Sequence, residues 1–351
     1  AGVPPAALQL LPGPGETVGA ALAADPRVAG VVFTGSTAVA RLLNRALAER
    51  TDDPVLIAET GGQNAMIVDS TALLEQVAID ALASAFDSAG QRCSALRLLC
   101  VQDDVAAPLL AMLEGALAEL SIGDPRRLAT DIGPVIDAEA RGAINDHIQR
   151  MRELGYRVVQ APLPQGCADG CFVAPAIVDL VNLDGIGQLK HEVFGPVLHV
   201  VRWTPATLPA LIDAINETGY ALTHGIHTRI DEQVETILAR VRAGNVYVNR
   251  NVIGAVVGVQ PFGGHGMSGT GPKAGGPMYL PRLARHARID WPSASDEPTP
   301  ATRAQPQPNV DAGRAALEDT MGALTARNDV IADTPSLSAD VGSVWKMSTS
   351  K

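Results

Sequence analysis

A chain of 351 residues that is 46% hydrophobic can bury one large core or two domains. Aromatic residues make up only 3%, so that core must rest on Ala, Val, Leu and Ile. The net charge of −11, with no basic run, argues against a nucleic-acid surface. No apolar stretch approaches the ~18 uninterrupted residues of a membrane span.

The first residues, Ala1-Gly2-Val3-Pro4-Pro5, have neither the basic start nor the apolar region of a signal peptide. They also lack an initiator Met, so the chain reads as cut from something longer. Its four cysteines do not form a disulfide framework, which favours a reducing, cytoplasmic setting. Cys167 and Cys171 lie four apart without two further ligands nearby, so no metal site is expected. Cys100, in an apolar run, reads as core.

In chain order, residues 1–15 form a Pro/Gly-rich loop and 16–24 a short helix. Residues 28–33 read as a buried parallel strand running into Thr34-Gly35-Ser36-Thr37 and a helix to about 50. Strands follow at 55–58 and 65–68. Over 71–89 the residues Leu74, Val77, Ala78, Ala81, Leu82 and Ala85 share one helical face, and Asp87-Ser88-Ala89-Gly90 stops the helix before Cys93. A strand over 95–101 and helices over 104–120 and 137–154 come next. Segments 172–178, 197–203 and 222–228 read as strands, with helices over 205–217 and 231–243, and 244–249 is a last strand before a glycine-rich stretch, 254–276. This alternation indicates a parallel α/β sheet. After Asp290, five prolines between residues 292 and 308 mark a linker or loose tail, with one possible helix over 311–326.

The chemistry-bearing residues sit at junctions of these elements. Cys93, after a helix stop and before Ser94, is either a core thiol or a nucleophile, and the thiolate would be the reactive form. Glu59 ends an apolar strand beside Gly61-Gly62. It is either an exposed strand end or a carboxylate held against an apolar wall, where its raised pKa would suit a general base. Thr34, Gly35 and Ser36 open a helix, where they serve as an ordinary cap or a phosphate cradle. Glu192 and Phe194 flank a Gly195-Pro196 turn, where a carboxylate can hold ribose hydroxyls and an aromatic ring can pack on nicotinamide. Otherwise they belong to a plain exposed turn. His224 and His227 read as strand packing.

Six motifs recur in one order. They are Phe33-Thr34-Gly35-Ser36-Thr37, Glu59-Thr60-Gly61-Gly62-Gln63-Asn64, Gly90-Gln91-Arg92-Cys93, Glu192-Val193-Phe194-Gly195-Pro196, Gly244-Asn245-Val246-Tyr247-Val248-Asn249 and Pro261-Phe262-Gly263-Gly264. Over residues 1–285 the series resembles the NAD(P)-dependent aldehyde dehydrogenase superfamily. The resemblance implies a partial Rossmann-like cofactor domain (1–60), an α/β catalytic domain (61–248) and a substrate-anchor and glycine-rich segment (249–290) returning to the cofactor domain. The tail, 291–351, lies outside it, and Ala40 stands where the family usually has glycine. The first strands of the cofactor domain are expected to lie upstream of Ala1.

By this resemblance Cys93 is the nucleophile and Glu59 the general base, and Thr34, Gly35, Ser36, Glu192 and Phe194 bind NAD. Cys93-Ser94-Ala95, Gly254-Ala255 and Ser268-Gly269-Thr270-Gly271-Pro272-Lys273 look most like the L-glutamate γ-semialdehyde dehydrogenases of bacterial bifunctional proline-utilisation proteins. That implies a carboxylate anchor at Ser94, Gly254 and Ala255, with Phe262 against the substrate chain. It further implies oxidation of the semialdehyde to glutamate through a cysteine thioester, a proline dehydrogenase domain in the parent protein, and a homo-oligomer. The alternatives are another semialdehyde dehydrogenase, or an inactive fragment acting only in association.

Overall fold

The computed structural model describes residue 2 and residues 4–284. The helix expected over 311–326 and the Pro-rich tail lie outside the described residues. Helix α1 (Ala20–Ala24) precedes a small parallel pair, β1 (Gly30–Thr34) and β2 (Val55–Glu59), joined by helix α2 (Thr37–Ala48). Ser36 caps α2, its Oγ accepting the Val39 N–H at 3.2 Å. The inner faces of this unit bury Leu47, Leu56 and Ala58, while Val32 and Leu42 on the outer side stay largely exposed.

The main sheet runs from β3 (Asn64–Val68) through β4 (Leu96–Gln102), β5 (Arg157–Gln160), β6 (Ala176–Val181) and β7 (Val197–Trp203). The short β8 (Tyr220–Ala221) leads into β9 (Thr223–His227) and β10 (Asn245–Val248). Seven of these strands line up as β10-β9-β3-β4-β7-β6-β5, all parallel except the β5–β6 pair. Parallel strands are covered on both faces, which explains why Ala65 to Val68 and Leu96 to Gln102 are buried throughout. The covering helices are α3 (Leu74–Phe86), α4 (Asp103–Glu119), α5 (Ala138–Glu153), α6 (Leu208–Glu217) and α7 (Asp231–Leu238). On α3 the expected face is the inner one: Val77, Ala81 and Ala85 are fully buried. Last come β11 (His265–Gly266), antiparallel to β8, and α8 (Tyr279–Leu283).

Several elements depart from the sequence reading, among them β8, β11 and α8, and three of the departures bear on the main sheet. The strand expected from 172 starts at Ala176, because Pro175 has no N–H for a ladder. The helix expected to 243 stops at Leu238, because Asn216 takes its next groups. The Asn216 amide donates to the Arg240 carbonyl and its Oδ1 accepts from Arg242 N–H, at 2.9 and 2.8 Å. The four-residue antiparallel edge strand β5 was not expected at all. It is too short and too exposed at Arg157 to show a clear alternation.

Cys100 is fully buried, and His224 and His227 are buried on β9, as expected. The nearby His199–His147 pair has assignable tautomers. The His199 Nδ1 lies 3.0 Å from the Arg97 carbonyl, which can only accept, so Nδ1 carries the proton. His199 Nε2 therefore accepts from His147 Nε2, at 2.8 Å. Burial pushes His199 down to about 3, and His147 and His224 to about 4. Unfolded imidazoles bind protons near 6.5, so the unfolded state gains protons first as pH falls. The urea midpoint should thus drop between pH 7 and pH 5. His199→Gln should flatten that pH dependence, and an unchanged slope would show that the pair does not titrate on unfolding.

Candidate active site

The loop that carries Cys93 is built on unusual backbone. After α3 ends at Phe86, Ser88, Ala89 and Gly90 take φ of 58°, 53° and 66° in succession. Left-handed non-glycine residues cost of order 1 kcal/mol each, so neighbours must hold them there. Gly90 packs on the Gly195 carbonyl, where a Cβ would lie 2.2 Å from the oxygen. The Gln91 side chain accepts from Ile136 N–H at 2.8 Å and donates to the Pro134 carbonyl at 3.2 Å. Asn64 is buried at the start of β3 and donates to the carbonyls of Cys93 (2.7 Å) and Ala95 (2.8 Å). Its Oδ1 accepts from Thr223 N–H at 3.0 Å. The loop is therefore anchored to α3, β3 and β9 without using the sulfur.

Burial, and then the Glu192 charge, push the Cys93 thiol above its ordinary range, while the N–H groups of Ser94 and Cys93 pull it back. At neutral pH the thiol rests protonated and needs a base. Glu59 closes β2 against the glycine-rich segment. Its Oε2 accepts from Gly264 N–H at 3.1 Å, and its buried Oε1 has no hydrogen-bond partner. A Cβ on Gly263 would fall 2.6 Å from that oxygen, so glycine is needed for the carboxylate to lie there. Burial raises Glu59 to about 7, against the pull of the Gly264 N–H and Lys273. The Glu59 carbonyl in turn accepts from Gly35 N–H at 3.2 Å, tying the turn before α2 to the base.

Glu192 lies across Gly61, where a Cβ would meet its carboxylate oxygen, and it also takes the Gly62 N–H. Burial raises its pKa, with Arg97 opposing at 3.1 Å. Phe194 keeps its ring partly exposed beside it.

These pieces surround one cavity of about 860 Å³. It is lined by Thr34, Gly35 and Ser36 at the α2 N-terminus, by Glu59, Cys93 and Ser94, and by Glu192, Phe194, Ala255 and Phe262. Gly254 sits between the lining residues Ile253 and Ala255, its carbonyl accepting from Arg250 Nη2 at 3.1 Å. Arg250 itself lies over the Tyr247 ring, 5.1 Å from its centroid. The structure thus gathers residues up to 228 positions apart, from Thr34 to Phe262, around one space.

Sequence reasoning gave no role to Asn64, Gln63, Arg97 or Tyr220. Gln63 donates to the carbonyls of Leu189 and His191, at 2.9 and 2.8 Å, and so fixes the loop before Glu192. Both amides stand in a quoted motif, and a Gln-Asn pair inside an apolar run was a usable signal. Among the described residues no cluster of His, Cys, Asp and Glu could hold a metal ion, and no helix is long and apolar enough to cross a membrane.

The site thus brings a thiol, a raised carboxyl and a helix N-terminus to one cavity on an α/β frame. The chain belongs to the aldehyde dehydrogenase family, whose match runs over residues 1–286. The bifunctional protein PutA of Salmonella typhimurium is 57% identical over 347 residues, covering 96% of this chain and 26% of that protein. That span must include most of the tail after Asp290, which the sequence reading had placed outside the resemblance. The 1-pyrroline-5-carboxylate dehydrogenase of Geobacillus kaustophilus is 36% identical over 285 residues, covering 80% of this chain and 54% of that one. Among solved structures, a bifunctional proline utilization A protein superposes with a TM-score of 0.76 at 59% identity, over 80% of this chain and 28% of that chain. A Thermus 1-pyrroline-5-carboxylate dehydrogenase with bound NAD gives 0.74 at 35% identity, over 80% and 54%. The chain therefore spans about a quarter of the PutA relatives and about half of the single-function ones.

Proposed function

We propose that this chain carries the site for NAD-dependent oxidation of L-glutamate γ-semialdehyde to L-glutamate, the second step of proline degradation. The observation that carries the reading is the shared cavity of Cys93, Glu59, Ser94 and the α2 N-terminus. The relatives named 1-pyrroline-5-carboxylate dehydrogenase support it.

The residues present fit NAD. The N-terminus of the twelve-residue α2 opens into the cavity with Thr34, Gly35 and Ser36, and its free N–H groups suit a pyrophosphate. Glu192 would take ribose hydroxyls and Phe194 would pack on the nicotinamide. When bound, NAD supplies the hydride acceptor. Glu59 takes the Cys93 proton, and the sulfur adds to the aldehyde carbon. The developing oxyanion meets the Cys93 N–H. Once the bound substrate has been oxidised to the thioester, Glu59 gives its first proton up to solvent, then takes one from water and passes it to the departing sulfur. The water oxygen bonds to the acyl carbon, and the carbon–sulfur bond breaks to release glutamate and the thiol. Ser94, Gly254 and Ala255 hold the α-carboxylate, and Phe262 packs on the aliphatic part.

The parent would also carry a proline dehydrogenase domain supplying the substrate and would form a homo-oligomer. The free thiols suit a reducing cytoplasm. A panel of aldehydes with and without the amino-acid group tests the reading. A kcat/KM at least about tenfold higher for the amino-acid aldehyde is expected, and Ser94→Ala should erase most of that preference by raising KM. Equal rates across the panel would point to another semialdehyde dehydrogenase. A folded chain that neither binds NAD nor turns over any aldehyde would favour a role in association only.

A further inference from the structure

Arg97, on β4 four residues after Cys93, is the largest fully buried side chain among the described residues. A guanidinium is permanently charged, so burying one is costly unless it has a task or full partners. Its Nη1 donates to the Gly195 carbonyl at 3.0 Å. Its Nη2 donates to the Arg92 carbonyl at 3.3 Å and to Glu192 Oε1 at 3.1 Å. Its charged carbon lies 5.5 Å from the centre of the Phe194 ring. Its Nε is buried with no hydrogen-bond partner. One side chain thus links the nucleophile loop at Arg92 to the Glu192–Gly195 turn. A lysine, a point donor on a flexible stem, could not copy that planar fork.

We propose that Arg97 is a positioning residue for the reaction, holding Glu192 against the Gly61-Gly62 turn and offsetting its negative charge beside the Cys93 thiol. The inference rests on Cys93 as the nucleophile. The charged groups facing the thiol are Glu192 and Glu59 across the cavity and Arg97 beneath, with Arg92 in the thiol's own loop bonded to Ser88 Oγ at 3.0 Å. Both carboxylates oppose the thiolate. Burial strips Arg97 of solvent, and its attraction to Glu192 and to Cys93 works against that cost. From inside the fold, Arg97 is the cation placed to counter Glu192.

The test is the pH profile of Cys93 alkylation by iodoacetamide, read by peptide mass spectrometry without cofactor. It compares the wild-type chain, Glu192→Gln and the neutral pair Arg97→Met/Glu192→Gln, each shown folded by circular dichroism. In Glu192→Gln the cation is unopposed, and alkylation at pH 7 should rise about tenfold, a shift of about one pH unit. Adding Arg97→Met should return the rate to the wild-type level or below. Overlapping profiles for the single and double variants would overturn the proposal. Should the double variant fail to fold, Glu192→Gln still decides: an unchanged profile would mean no carboxylate charge reaches the thiol to be offset. Expected profiles combined with full turnover in Cys93→Ser would sink the nucleophile reading alone.

Discussion

Cys93→Ser should lower turnover by at least about 10⁴-fold while leaving NAD affinity and the far-UV circular dichroism unchanged. The size follows from the chemistry. A hydroxyl is a far weaker acid than a thiol, and Glu59, at about 7, cannot ionise it to any useful extent. The selectivity follows from the geometry. Among the described residues, the side-chain bonds that tie the loop to other segments come from Asn64, Gln91, Arg97 and Thr223, and none of them runs through the sulfur. Serine should therefore keep the loop's shape. Production of NADH at saturating aldehyde, alongside NAD titration, reads both halves. A Cys93→Ser enzyme keeping more than a tenth of wild-type turnover would rule out the thioester route.

Glu59→Gln should cut steady-state turnover by about 10²–10⁴-fold, the range for loss of a general base. Because Glu59 is the proposed base for both the thiol and the water, NADH formation and acyl-enzyme hydrolysis should both slow at pH 7, and raising the pH toward the thiol's own range should restore the first step alone, as a burst of NADH followed by a near-stop. The wild-type rate should decline below about pH 7 as Glu59 takes up its proton, and the variant should lose that acid limb. Stability should move the other way. The Glu59 pKa is higher folded than unfolded, so its contribution is full below about 4.5 and is lost as pH rises through about 7. Glu59→Gln removes an ionised carboxylate from a largely buried site, so the variant should unfold at higher urea than the wild type at pH 8. At pH 4.5 the difference should shrink. Wild-type turnover in Glu59→Gln at pH 7, or equal midpoints at pH 8, would remove Glu59 from this role.

Much of the frame was legible because parallel strands, being covered on both faces, write themselves as apolar runs. Val197 to Trp203 and the runs at β2, β3 and β4 were placed within a residue of their ends. What stayed hidden depended on partners distant in sequence. Asn216 cuts short a helix twenty residues later, and β5 exists only because β6 accepts it. The same holds at the site. Cys93 and Glu59 announced themselves by standing at element ends beside glycines. Arg97 is the second residue of β4, between Leu96 and Leu98, and its meaning depends on Glu192, 95 positions away. The left-handed run at Ser88 and Ala89 carries no sequence signal, since neither residue favours that conformation.

Asn64 sets a rule for grafting. Its amide fixes two carbonyls of the Cys93 loop and one N–H of β9, so three segments 159 residues apart at the extremes are spaced by one side chain. A transplanted loop would need the same two carbonyls at the same offsets, whatever nucleophile it carried. By contrast, the connection from α4 to α5 donates nothing to this side chain. That connection is tied to the Cys93 loop through Gln91 instead, at Pro134 and Ile136, so a graft must keep both anchors.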